Sequence, residues 1–122
     1  FETEKIQRGI MGVSKRLKIS FVTRSKEVDH IKDHIKRCPY PAIICGDFND
    51  TPVSYAYQQL MQNKKDAFLE SGNGIGGTYF KIPTLRIDYI LHSESLNSID
   101  FTTHKEEFSD HRAISTNIAL PY

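Results

Sequence analysis

A mixed α/β domain, with a mainly antiparallel sheet and flanking helices, is the architecture this sequence predicts, and three observations carry that reading. Apolar residues recur at helical spacing as far as Arg37, where Pro39 and Pro41 forbid continuation. Four short apolar runs bounded by turn residues come after them, and a helix-start signal, Thr51-Pro52, lies between the first and second of these. The chain has 122 residues, 39% of them hydrophobic, enough for one core and one domain. Its formal net charge of +1 supplies no basic field that would by itself argue for nucleic acid. The Lys and Arg residues before Cys38 read as the solvated face of a helix.

Each element has its own signal. Residues 1–12 show no clear period and contain Gly9 and Gly12, so they read as a loop remnant. Residues 13–37 read as helical: Val13, Leu17 and Phe21 form one stripe, and Val28, Ile31 and Ile35 continue it. They make one long helix or two in series, with Ser25 as cap of the second. Ala42 to Phe48 is a strand apolar on both faces, as expected between helices and a second layer, with Cys45 inside it as a buried, reduced thiol. Thr51 as N-cap and Pro52 at the first helical position predict a helix to about Gln62, in which Tyr55, Leu60 and Met61 are packing residues. Ser71 to Gly77 holds four glycines and reads as a surface loop, because a strand starting at Thr78-Tyr79-Phe80, not a helix, follows it. Ile87 to His92, Ser98 to Thr103 and Ala113 to Ala119 read as three further strands.

Three segments carry chemistry. Cys45-Gly46-Asp47-Phe48-Asn49-Asp50-Thr51-Pro52 places Asp47 and Asn49 on one side of an extended chain, since side chains alternate along a strand. Arg86-Ile87-Asp88-Tyr89-Ile90-Leu91 sets an acid at the head of an apolar strand, and Ser109-Asp110-His111-Arg112 sets an acid and an imidazole in a turn. In this order the three segments resemble the C-terminal signature of the endonuclease/exonuclease/phosphatase superfamily, metal-dependent phosphodiesterases and phosphatases with a DNase-like fold. The resemblance runs from about Pro39 to the end of the chain. It implies half of a four-layer α/β sandwich, with residues 1–122 as the C-terminal half of the domain and 42–122 as its motif-bearing sheet and helix.

Phosphoester hydrolysis needs an activated water, neutralisation of charge on the phosphoryl oxygens and help for the departing oxygen. Carboxylates can hold Mg²⁺ or Mn²⁺ for this purpose, and a histidine with a carboxylate on its far nitrogen can act near neutral pH. By the resemblance, Asp88 pairs with His111. Asp47 activates the water or protonates the leaving group close to the metal, Asn49 and His111 contact the substrate phosphate, and Asp110 belongs with Asp47 to the metal shell. Asp50 reads as a turn cap; Arg86 and Arg112 are either phosphate contacts or surface charges. His30, His34, His92 and His104 read as surface or satisfied core groups.

The superfamily's first half supplies an Asn and a metal-binding Glu from strand ends, and nothing before Gly46 matches them: Glu2, Glu4 and Glu27 lie in a loop or on a helix. The expected partners are therefore a phosphoester substrate and the missing N-terminal half, or a second copy meeting the exposed sheet face, with the isolated half weak or inactive. The alternatives are a binding or scaffold module of the same fold that has lost the chemistry, and a DNA-specific endonuclease. No apolar stretch approaches the ~18 residues a membrane span needs, and no signal peptide is visible.

Overall fold

The structure is a computed structural model that describes residues 24–48 and 52–121. The loop expected over 1–12 and the helical stripe from Val13 to Phe21 lie outside the described residues. Helix α1 covers 24–37 and stops before Pro39, as the sequence requires. Ser25 lies inside it, so it is not the cap. Of the expected stripe, Val28 enters the core, Ile35 is half-buried and Ile31 is exposed.

Strand β1, Ile43–Asp47, is followed by α2, Tyr55–Leu60. The helix is shorter at both ends than Thr51-Pro52 suggested. Ser54, in an extended conformation, takes the cap and accepts from Tyr57 N–H at 3.2 Å. At the other end Asn63 adopts φ 59°, a left-handed conformation Asn tolerates, and turns the chain into the next strand. Leu60 is buried and Met61 packs on the core, whereas Tyr55 stays exposed and its hydroxyl donates to Asp29 Oδ1 at 3.2 Å.

Strand β2, Lys64–Asp66, and helix α3, Ala67–Ser71, have no counterpart in the sequence reading. Asp66 joins them: its Oδ1 accepts from Phe68 N–H at 3.0 Å as helix cap, and its Oδ2 accepts from Arg86 Nη1 and from the Tyr57 hydroxyl, both at 2.7 Å. Burial and the hydrogen bond to Asp66 push the Tyr57 phenol up to about 12. Arg86 lies 4.8 Å from the Tyr89 ring centroid and 4.9 Å from that of Phe68, so it is a buried core cation and neither of the roles proposed for it.

Strands β3, Asp88–Ser93, β4, Asn97–Thr103, and β5, Ile114–Ala119, complete the fold close to their expected bounds. One antiparallel sheet runs β1-β3-β2 and a second pairs β4 with β5, whose register shifts between Ile99 and Thr102 where Asp100 has φ 54°. Period-2 alternation sends Tyr89 and Leu91 of β3 to one face, where they meet Val28, Ala56, Tyr57 and Leu60 from α1 and α2. Ile90 goes to the other face, with Ala67 of α3 and Phe101 of β4.

His92 shares that second face, fully buried, with Nε2 2.8 Å from Glu70 Oε2 and Nδ1 2.9 Å from Ser93 O. It is the satisfied core histidine the sequence reading expected, and His104, 2.7 Å from Ser115 Oγ, is likewise partnered away from any site. Cys45 departs from expectation: it is exposed with Ile43, because α3 and β4 cover this face over β3 and no described element reaches across β1. Among the described residues no helix is long and apolar enough to cross a membrane.

Candidate active site

The register of β1 on β3 builds the first half of the site. Asp47, the last residue of β1, lies directly opposite Asp88, the first of β3, so both carboxylates emerge on the same face at the same sheet end. Like charges in that position repel, and a cation between them reverses the sign of the effect. His111 occupies the gap: its Nδ1 is 2.8 Å from Asp88 Oδ2 and its Nε2 is 3.7 Å from Asp47 Oδ2. Exposure grades outward, from 16% for the Asp88 side chain through 24% for His111 to 39% for Asp47.

The hydrogen bond to Asp88, opposed by partial burial and aided by the charges of Asp88, Asp47 and Asp110, raises the His111 pKa above its ordinary value. In the charged form Nδ1–H donates to Asp88 and Nε2–H faces Asp47 and the opening of the site. Local bonds shape the turn: Ser109 Oγ accepts from His111 N–H at 2.9 Å, and the Tyr79 ring lies against the imidazole at 5.5 Å between centroids. A backbone bridge pairs Tyr79 with His111, where Phe80 N–H donates to Asp110 O at 2.9 Å and Arg112 N–H to Thr78 O at 2.6 Å.

Of the residues singled out from the sequence, Asp47, Asp88 and His111 come together; among the described residues they form the group whose potential ligand atoms lie within 4.8 Å of one another. Asp110 stands beside them in the chain, exposed, and accepts from Ser109 Oγ at 3.4 Å, but it is not in that group. Asn49 and Asp50 fall outside the described residues. Arg112 is half-buried, donates through Nη1 to Gly77 O at 3.2 Å and lies 5.0 Å from the Phe80 ring centroid, which makes it a support of the turn, not a phosphate contact. The sequence shows Thr78 and Tyr79 only as the start of a strand, and the structure has isolated bridges at Tyr79 in place of that strand. Their signal was the position of a hydroxyl and a ring just before a second motif, and it has meaning only once the bridge to His111 is known.

The sequence model described as the endonuclease/exonuclease/phosphatase family matches residues 21–111. The chain belongs to the endonuclease/exonuclease/phosphatase family. A comparison with curated proteins finds no match. Among solved structures, an endonuclease/exonuclease/phosphatase from Bacteroides vulgatus is similar at TM-score 0.65 and 26% identity. A family protein from Bacteroides thetaiotaomicron is similar at 0.64 and 19%, and a mannosyl-6-phosphatase from Bacteroides thetaiotaomicron VPI-5482 at 0.59 and 19%. Each match covers 80% of this chain and 44% of the other, so the chain spans less than half the length of these three proteins. Mixed α/β layers with antiparallel sheets, as in these neighbours, are the half-sandwich the motifs implied.

Proposed function

We propose that this chain carries one half of the active site of a divalent-metal-dependent phosphoester hydrolase. The observation that carries the reading is the Asp47, His111 and Asp88 array, an imidazole held between two carboxylates at the open end of a sheet. Membership of the family and the likeness to a phosphatase support the reaction class.

The roles follow from position. Asp88 is the most buried member and has its carboxylate engaged with Nδ1, so it orients the ring and stabilises its charge. His111 then presents Nε2–H outward, where it can donate to a phosphoryl oxygen or to a departing oxygen. Asp47, the most exposed member, is placed to orient a water or take its proton. Asn49, next but one in the chain, would contact the substrate phosphate.

The donor set fits a hard cation in one part and not in another. Asp47, Asp88 and His111 bring potential ligand atoms within 4.8 Å of one another, with Asp88 and His111 already hydrogen-bonded together; Asp47 in this group and Asp110 beside it carry carboxylate oxygens of the kind that hold Mg²⁺ or Mn²⁺ together with several waters. Such an ion would supply charge neutralisation at the phosphoryl oxygens. Two carboxylates make a sparse site, which agrees with a contribution from outside this chain.

The test is a substrate panel on the full natural protein in Mg²⁺: abasic DNA, poly(A), lipid phosphodiesters, inositol phosphates and a sugar 6-phosphate. At least one should be hydrolysed, and His111→Ala or Asp47→Asn should slow it by about 10²–10⁴-fold, the range for loss of a general acid or base. Folded wild-type protein that hydrolyses no phosphoester, or variants as active as wild type, would overturn the proposal.

A further inference from the structure

The Asp88 to His111 contact joins two segments that are distant in sequence, and neither is held by a long element on the His111 side: residues 104–113 have no helix or strand, only the bridge at His111. What stands between the two segments is the short stretch 78–80, and its bonds converge on Thr78. This residue is 1% exposed and uses every polar atom it has. Its N–H donates to Leu85 O at 2.9 Å and its carbonyl accepts from Arg112 N–H at 2.6 Å. Its Oγ1 accepts from both Ile87 N–H and Asp88 N–H, each at 3.2 Å.

The hydroxyl thus grips the backbone of Asp88, while the carbonyl of the same residue grips the residue after His111. The neighbouring Tyr79 lays its ring on the imidazole. Gly77 fixes where this stretch lies, since a Cβ there would collide with the Pro83 carbonyl oxygen, and only glycine lets the two strands of the turn approach so closely.

We propose that Thr78 is a positioning residue for the hydrolytic site, setting the Asp88 to His111 distance by tying both segments to one rigid stretch. The inference rests on the functional reading of Asp88 and His111 given above. A side chain of the same shape without the hydroxyl would take the partner from one buried and one part-buried amide N–H, those of Ile87 and Asp88, and the start of β3 would shift to satisfy them. Small displacements of reacting groups are costly in rate.

The test compares Thr78→Val, Thr78→Ser and Ser54→Ala in the full natural protein, the last being a stability control at the α2 cap. Three quantities are read: the low-field imidazole N–H proton resonance of His111, the thermal midpoint, and kcat and KM on whichever phosphoester the panel identifies. Thr78→Val should lose or shift the resonance and lower kcat by at least about tenfold with KM little changed. Thr78→Ser should restore both, and Ser54→Ala should lower the midpoint while moving neither.

A valine variant with intact resonance and kcat, or a Ser54→Ala variant with the same losses, would overturn the assignment. If the valine variant does not fold, gentle heating of the wild type tests the same point. The resonance should then disappear together with the exchange protection of the Ile87 and Asp88 amides, and its loss while those amides stay protected would overturn the proposal. A wild-type protein without phosphoesterase activity would sink the functional reading alone, since the resonance still reports on Thr78.

Discussion

The imidazole of His111 has a carboxylate on each side, and the nearer one dominates. Asp88 is the main cause of its raised pKa, so Asp88→Asn should lower the His111 titration midpoint, read from the ring protons by magnetic resonance. The same shift has a sign in stability. A histidine whose pKa is raised by folding stabilises the fold fully below the unfolded value, about 6.5, and the contribution fades as pH rises through the folded value. The thermal midpoint of wild type should therefore exceed that of His111→Gln most near pH 6 and least well above neutrality. A gap that widens with rising pH would contradict the pairing. Asp88 and His111 were legible in the sequence because the motif order names them; the structure adds the register that sets Asp47 across from Asp88.

Elements with many residues and a clean period were read well from sequence, and short ones were not. The strand from Asp88 to Ser93 alternates between two cores, and its Tyr, Ile and Leu side chains announce it. Strand β2 carries Lys64 and Lys65 and exists because β3 offers it a free edge, a cause outside its own residues. Helix α3 spans Ala67–Ser71, too short for a period to show, although Asp66 before Ala-Phe-Leu was a cap signal available in the sequence. Cys45 is exposed and not buried for a related reason: an apolar strand reports that cover is wanted, not that this chain provides it.

The turn after the glycine-rich loop bonds both the Asp88 segment and the His111 segment. Gly77→Ala places a methyl group against the Pro83 carbonyl oxygen, and a backbone clash is not relieved by a rotamer change. We expect a loss on the order of 1–3 kcal/mol, the overpacking range, together with weaker exchange protection at Thr78 and Leu85. Gly74→Ala, where φ is 76° and a Cβ meets nothing, should cost about 1 kcal/mol through the backbone alone. Equal effects at the two positions would argue against the close approach.

At the scale of the molecule, apolar surface is distributed unevenly. Ile43 is 50% exposed on the uncovered face of β1, and Phe108, three residues before His111, is 93% exposed. An apolar side chain left open on a sheet face marks a place where cover is favourable. We expect these 122 residues alone to self-associate, with Ile43→Lys reducing the association, as read by sedimentation equilibrium. A monodisperse monomer at high concentration would show that the face is content in water.

The direct opposition of Asp47 and Asp88 has a consequence for how this sequence can change. Because side chains on a strand alternate with a period of two, sliding β1 by one residue against β3 would turn Asp47 to the helical side and bring apolar residues to the site. Substitutions within these strands leave that alignment intact, whereas a single inserted or deleted residue does not. A library of one-residue insertions and deletions should therefore show a sharp division. Changes within 43–47 and 88–93 should abolish activity even in variants that remain soluble, and changes within the loop 72–76 should be tolerated. The spacing along β1 and β3 has to be kept together with the two acids that end and begin them, Asp47 and Asp88.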